Sequence, residues 1–314
     1  LYCNKRELNM DLDYFEKLRI LDGGMGQELL AKGLVSKGTL WSTSAILEEK
    51  FHGLLIDVHE SFINAGADVI VTNNFSSRKI RLIENKVGDK FEYVNKKACE
   101  LANKARERSK KNILIAGSLP PQNGTYVIDE RDINLIKKDF KEQAEIIKPY
   151  VDFFYLDVIT SAREIEAACE VIEKINMPVL VGLHLKKNAK LASGENITEI
   201  VKNYRTNNWL GLIGACVSLE IIEDSCNEMS NLNIPFGFKA NLWNVEEPLP
   251  LHKFNTSKFN EIGKNPNEVM GKRDEITNEI FYKFAKKIKD KGAKILGGCC
   301  NINPGHIKSI SSLK

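Results

Sequence analysis

Short apolar, β-branched runs recur along the chain, separated by longer stretches whose apolar positions repeat every three or four residues. The runs are Arg19–Gly24, Ala67–Asn73, Asn112–Leu119, Asp152–Val158, Pro178–Leu185, Gly211–Ser218, Pro235–Leu242 and Ala293–Cys300. Most are continuously apolar rather than alternating, the pattern of strands buried on both faces of a parallel sheet. Between them, Glu48–Ala65 sets Phe51, Leu54, Leu55, Val58 and Phe62 on one stripe and stops at Asn64-Ala65-Gly66, as an amphipathic helix does. Phe91–Lys110, Asp132–Tyr150, Ala162–Ile175, Asn196–Arg205, Leu219–Leu232 and Asp274–Gly292 read the same way. Eight strands alternating with helices predict an α/β fold, a (β/α)8 TIM-type barrel, ahead of a doubly wound open sheet.

There is no internal repeat, low-complexity tract or linker, so residues 18–314 read as a single barrel domain. Residues 1–17 read as an N-terminal extension, partly disordered, with Met10 placed as a natural start. The stretch Asn244–Arg273 lacks periodicity and carries three prolines. A loop of that length directly after the seventh strand is expected to be functional.

Composition narrows the class. The chain has 314 residues, 43% of them hydrophobic, enough for a full-sized core. Its formal net charge is +3, and no Lys/Arg block is interleaved with aromatics, so nucleic acid is not an expected partner. The longest apolar runs, such as Pro178–Leu183, are of strand length and far short of a membrane span. No apolar N-terminal segment precedes a cleavage site, so a cytoplasmic location is expected. A homo-oligomer is compatible with this composition. Seven cysteines without a framework spacing point to free, catalytic or metal-binding thiols.

The predicted strand ends carry the candidate chemistry: Asp22-Gly23-Gly24, Thr72-Asn73-Asn74, Ser118, Asp157, His184, Cys216, Asn241 and Cys299-Cys300. Barrels build their active sites at this end. Polar turn residues would account for about half of them, but cysteine is not a turn former. Neighbouring side chains on a regular strand point to opposite faces, so Cys299 and Cys300 can share one metal only where the backbone bends. Gly297 and Gly298 allow that bend. With Cys216 the pair makes a three-thiolate set with one position open, the form of a catalytic zinc site. A pair of buried core cysteines or a vicinal disulfide stands beside that reading. Three thiolates make zinc a weak Lewis acid but suit it to holding a fourth thiolate that attacks carbon. The expected reaction is thiol alkylation.

At this point the sequence resembles the homocysteine S-methyltransferase family. The carriers are Ile20-Leu21-Asp22-Gly23-Gly24-Met25-Gly26-Gln27-Glu28-Leu29, Ala65-Gly66-Ala67-Asp68-Val69-Ile70-Val71-Thr72-Asn73, Gly214-Ala215-Cys216 and Gly297-Gly298-Cys299-Cys300. The resemblance implies a zinc-bearing barrel that methylates homocysteine to methionine. It places the metal and the catalysis on Cys216, Cys299 and Cys300. It places substrate binding on the Asp22, Gly23 and Gly24 loop, on Asp157 where the family has a glutamate facing the amino group, and on Asn241, with Thr72 on the same face. Two departures concern the substrate side: Ala215 stands at an asparagine position, and Pro120–Tyr126 replaces a Gly-Pro-Tyr-Gly element.

The implied donor is a small sulfonium or quaternary ammonium compound: dimethylsulfoniopropionate, S-methylmethionine or betaine. Cationic methyl groups sit on aromatic faces, and Trp41, Phe75, Tyr126 and Trp243 are the cage candidates. Asn95–Cys99 and Asn303–Ile307 resemble the betaine-using branch, whereas Ser76 and Val158 replace two of its tyrosines. Two alternatives remain: a Schiff-base aldolase-like barrel using Lys239, and a non-catalytic zinc- or thiol-binding protein.

Overall fold

The computed structural model describes residues 11–314. Its strands are β1 (Arg19–Ile20), β2 (Val69–Val71), β3 (Leu114–Leu119), β4 (Phe153–Ile159), β5 (Val179–Leu183), β6 (Trp209–Val217), β7 (Phe236–Ala240) and β8 (Ile295–Gly298). All pair in parallel, in the order β1-β8-β7-β6-β5-β4-β3-β2. A parallel bridge between Leu21 and Val69 joins the two ends, with Asp22 N–H donating to the Val69 carbonyl at 3.0 Å. The (β/α)8 barrel expected from the apolar runs is the fold.

Two cores explain why the runs do not alternate. Phe154, Leu156, Val181, Leu212 and Phe238 face outward and pack beneath the helices. Phe153, Tyr155, Leu180, Leu210, Ile213 and Ile295 fill the barrel interior. Both faces of each strand are thus apolar. Several predicted strands run past the ladder, because their last residues turn into the mouth; β1 stops at Ile20, and Leu21–Gly24 already belongs to the site.

Helix Ala162–Ile175 keeps its predicted bounds, and Phe91–Ser109, Ile133–Ile147, Ile197–Tyr204 and Leu219–Ser230 agree closely. The others start later than the periodicity suggests. Residues 49–51 form a separate 3-10 turn before His52–Asn64, and Thr277 caps Asn278–Asp290 by accepting from Ile280 N–H. Helices Met25–Ala31, Lys79–Glu84 and Pro304–Ser311 had no counterpart in the sequence reading. At about two turns each they give a 3.6-residue period little length in which to register.

Residues 1–10 of the predicted extension lie outside the described residues. Residues 11–17, counted with it above, pack beneath the barrel: Phe15 is fully buried, edge-on to Phe153 with ring centroids 5.9 Å apart. At the other end, Asn244–Arg273 is folded over the mouth. Its ends are tied by Asn244 N–H to Met270 O and Arg273 N–H to Leu242 O, each 3.0 Å. Its middle docks on the segment after the first helix, through Gly38 N–H to Glu261 O at 2.8 Å and Gly263 N–H to Ser36 O at 2.9 Å. Among the described residues, no helix is long and apolar enough to cross a membrane.

Candidate active site

Two irregular strands aim the chemistry inward. The register of β6 against β7 slips between Ala215 and Val217, and Cys216 between them has φ +53°. The register of β4 against β5 slips between Leu156 and Ile159, where Val158 has φ +68°. Each bulge breaks the alternation of side chains and turns Cys216 and Asp157 toward the axis. After β8 the chain folds back on itself. A Cβ on Gly298 would lie 2.1 Å from the Ile302 side chain, and one on Gly24 2.6 Å from the Cys299 carbonyl. Glycine is required there for close approach, so the first-strand loop lies directly against the thiol-bearing turn.

The three sulfurs converge. Cys216 Sγ is 3.8 Å from Cys300 Sγ, which is 3.9 Å from Cys299 Sγ, and all three lie within 4.8 Å of one another. Thiolates about 2.3 Å from a tetrahedral zinc stand roughly 3.8 Å apart, so the spacing fits that ion. All three are free thiols. Burial opposes ionisation of Cys216, but hydrogen bonds from Cys299, Cys300 and Tyr126 hold its thiol well below the usual range. Asn241 supports the cluster from behind, its amide donating to the Cys216 carbonyl at 2.6 Å while Trp243 N–H donates to its side-chain oxygen at 3.1 Å. It does not line the pocket, so its place in the structure is behind the bulge rather than against a ligand.

The pocket above the sulfurs is lined by Asp22, Gly23, Gly24, Thr72 and Asp157 and walled by Trp41, Phe75, Tyr126 and Trp243. Asp157 accepts from Ser118 Oγ at 2.9 Å; burial pushes its carboxyl up to about 7 against the pull of Lys239 and of that hydrogen bond. Thr72 Oγ1 accepts from Ser118 N–H at 3.0 Å and donates to Asn74 at 2.7 Å, joining the β2 and β3 ends. Tyr126 reaches Cys216 Sγ at 3.3 Å. His184 is held at 3.3 Å from the Ala215 carbonyl and does not line the pocket. Trp41, Tyr126, Val158 and Cys216, all on the pocket wall, have positive φ, backbone strain of the kind concentrated at functional sites.

Lys239 appeared in the sequence only as a Schiff-base candidate. Its ammonium forms a buried ion pair with Asp22, whose other oxygen accepts from Val71 N–H at 2.7 Å. An ammonium held this way is not the free amine that imine formation needs. Gln27, Arg78 and Arg81 were missed. Nothing local to the sequence marks the two arginines for burial, yet Arg78 is fully buried and Arg81 only 5% exposed.

A closed parallel barrel with a buried three-thiol cluster at the C-terminal ends of its strands defines an enzyme of the (β/α)8 class built around sulfur. The sequence model of the homocysteine S-methyltransferase family matches residues 19–313, and the chain belongs to that family. Homocysteine S-methyltransferase 1 of Arabidopsis thaliana is 24% identical over 322 residues, covering 93% of this chain and 92% of that protein. S-methylmethionine–homocysteine S-methyltransferase BHMT2 of Pongo abelii is 26% identical over 300 residues, covering 92% and 76%. The crystal structure of the metallated form of the homocysteine methyltransferase MmuM from Escherichia coli shares the fold, with TM-score 0.75 and 19% identity over 95% of this chain and 96% of that one.

Proposed function

We propose that the protein transfers a methyl group from a small sulfonium or quaternary ammonium donor to homocysteine, giving methionine, with zinc held by Cys216, Cys299 and Cys300. The observation that carries this is the convergence of three free thiols at tetrahedral spacing beneath an aromatic-walled pocket. Zinc bound there would hold the homocysteine sulfur as a thiolate and keep it nucleophilic.

The rest falls to the chain itself. Asp157 receives the homocysteine ammonium, its carboxylate being held by Ser118; it is one methylene shorter than the glutamate expected at this position. The Asp22-Gly23-Gly24 loop and Thr72 bound the amino-acid end. Trp41, Phe75, Tyr126 and Trp243 offer ring faces to the onium methyls and exclude water. The homocysteine thiolate takes the methyl carbon in line. The electron pair of the donor's C–S or C–N bond leaves with a neutral thioether or tertiary amine. Positioning supplies much of the acceleration.

The test is methyl transfer to homocysteine from S-methylmethionine, dimethylsulfoniopropionate and glycine betaine, with zinc content measured in parallel. Cys299→Ala is expected to lose the bound zinc and, with it, methyl transfer. A zinc-free Cys299→Ala protein of full activity would sink the reading.

A further inference from the structure

Behind the aromatic wall lie two buried guanidiniums. Arg78 precedes helix Lys79–Glu84 and Arg81 lies within it. Among the described residues, no carboxylate comes within ion-pair distance of either. Arg78 is held by both terminal nitrogens: it donates to Pro121 O and Thr125 Oγ1, each at 2.7 Å, and stands 5.3 Å over the Phe75 ring, while its Nε has no partner. Arg81 has a single acceptor, the Thr39 carbonyl at 3.2 Å, and lines the pocket. Burial pulls its guanidinium down to about 10. A buried cation without a counter-ion is destabilising; the neighbouring Arg78 adds repulsion, which the more distant Glu84 only partly offsets.

Other residues of the pocket lining carry polar atoms with no partner. Both atoms of the buried Gln27 amide, the Trp41 indole N–H and the fully buried Ser76 hydroxyl are unsatisfied, and all three residues line the pocket. Buried donors are rarely left unmade in a folded protein. Arg81, Trp41 and Gln27 line one cavity and bring to it a guanidinium, an indole and an amide, a donor set suited to an anion.

This donor set lies apart from the groups assigned to homocysteine. Asp22, Thr72 and Asp157 stand at strand ends. Arg81 is bonded to Thr39, in the segment onto which the long loop docks through Gly38. The loop adds Lys264 to the pocket lining.

We propose that Arg81, assisted by Gln27 and Trp41, binds the carboxylate of the methyl donor and so selects zwitterionic onium compounds over simple cations. This rests on the proposed methyl transfer. The donor then lies with its onium methyls on the aromatic wall and its carboxylate at Arg81, which orients the transferred methyl toward the sulfurs. Arg78 is a positioning residue: it holds the turn that carries Tyr126 and supports Phe75.

The experiment compares S-methylmethionine, dimethylsulfoniopropionate and glycine betaine with trimethylsulfonium and tetramethylammonium, which lack a carboxylate. The zinc-loaded wild type, Arg81→Met and Arg81→Lys are assayed at saturating homocysteine. In Arg81→Met, KM for the carboxylate donors is expected to rise about 10- to 100-fold, the worth of one charged hydrogen-bonded contact. The rate with trimethylsulfonium and KM for homocysteine should hold within about twofold. Arg81→Lys should fall between and carries the test if Arg81→Met does not fold. An unchanged donor preference in the variants overturns the proposal, as does a loss confined to homocysteine KM. If no donor is turned over, the reading of function fails. Calorimetric titration of the same compounds then decides the inference by itself: binding of the zwitterions that Arg81→Met loses supports it, and equal or absent binding overturns it.

Discussion

Lys239 and Asp22 meet inside the barrel, each almost out of contact with water. Burial alone raises the Asp22 carboxyl above its ordinary value, and Lys239 works against that rise. Removing one partner of such a pair leaves an uncompensated charge. Lys239→Met is therefore expected to lower unfolding free energy by about 3–5 kcal/mol. The Asp22→Asn, Lys239→Met double variant should lose less than Lys239→Met alone. Denaturant unfolding of the single and double variants checks this; a double variant weaker than Lys239→Met would contradict it. Neither residue's pairing was legible from sequence, because strands β1 and β7 are adjacent to β8 but more than two hundred positions apart in the chain. Asp22 was legible as a strand-end carboxylate, and Lys239 as a strand lysine, but not as each other's counter-ion.

Helix Ala162–Ile175 shows how an element can carry a titration. Ser161 caps it by accepting from Glu164 N–H, and donates to the Glu164 carboxylate at 2.8 Å. The arrangement is a local version of the capping box, but Glu164 is fully buried. Burial, opposed by the Ser161 hydrogen bond, pushes its carboxyl up to about 7 from 4.5. Between those values the unfolded chain has released a proton that the folded chain keeps, so stability falls as pH rises through this window. Glu164→Gln keeps the acceptor and removes the titration. It should match wild type near pH 4.5 and exceed it at pH 8 by up to about 3 kcal/mol, read from denaturant midpoints at the two values. This helix was legible to the residue because its apolar stripe is strong and its ends are capped. The bulges in β4 and β6 were not. A register slip depends on the neighbouring strand, and no local pattern around Val158 or Cys216 announces it. What the sequence did supply was the glycine pair before Cys299, whose need for close approach the Ile302 contact explains.

At the scale of the whole molecule, the long loop after β7 completes the pocket that the barrel begins. Leu249, Leu251, Phe254 and Met270 come from it, and its docking on Ser36 and Gly38 fixes their height over the sulfurs. Gly38 has φ +52°, and a Cβ there would lie 2.2 Å from Asn85 Oδ1 and 3.0 Å from Phe259 Cα. Gly38→Val should unseat the loop, costing about 1–3 kcal/mol of local strain. Donor KM is expected to rise about tenfold or more with zinc content unchanged; steady-state kinetics beside metal analysis separates the two. A variant that loses zinc as well would show that the loop supports the cluster rather than only the donor pocket.

The opposite rim has a practical meaning. Phe15 seals the bottom of the barrel, and Lys314 reaches back to Gly66 and Asp68 just ahead of β2. The described chain therefore enters and leaves through one rim, facing away from the opening. A support, dye or fusion partner tethered near either point leaves the route of small molecules to the sulfurs unobstructed.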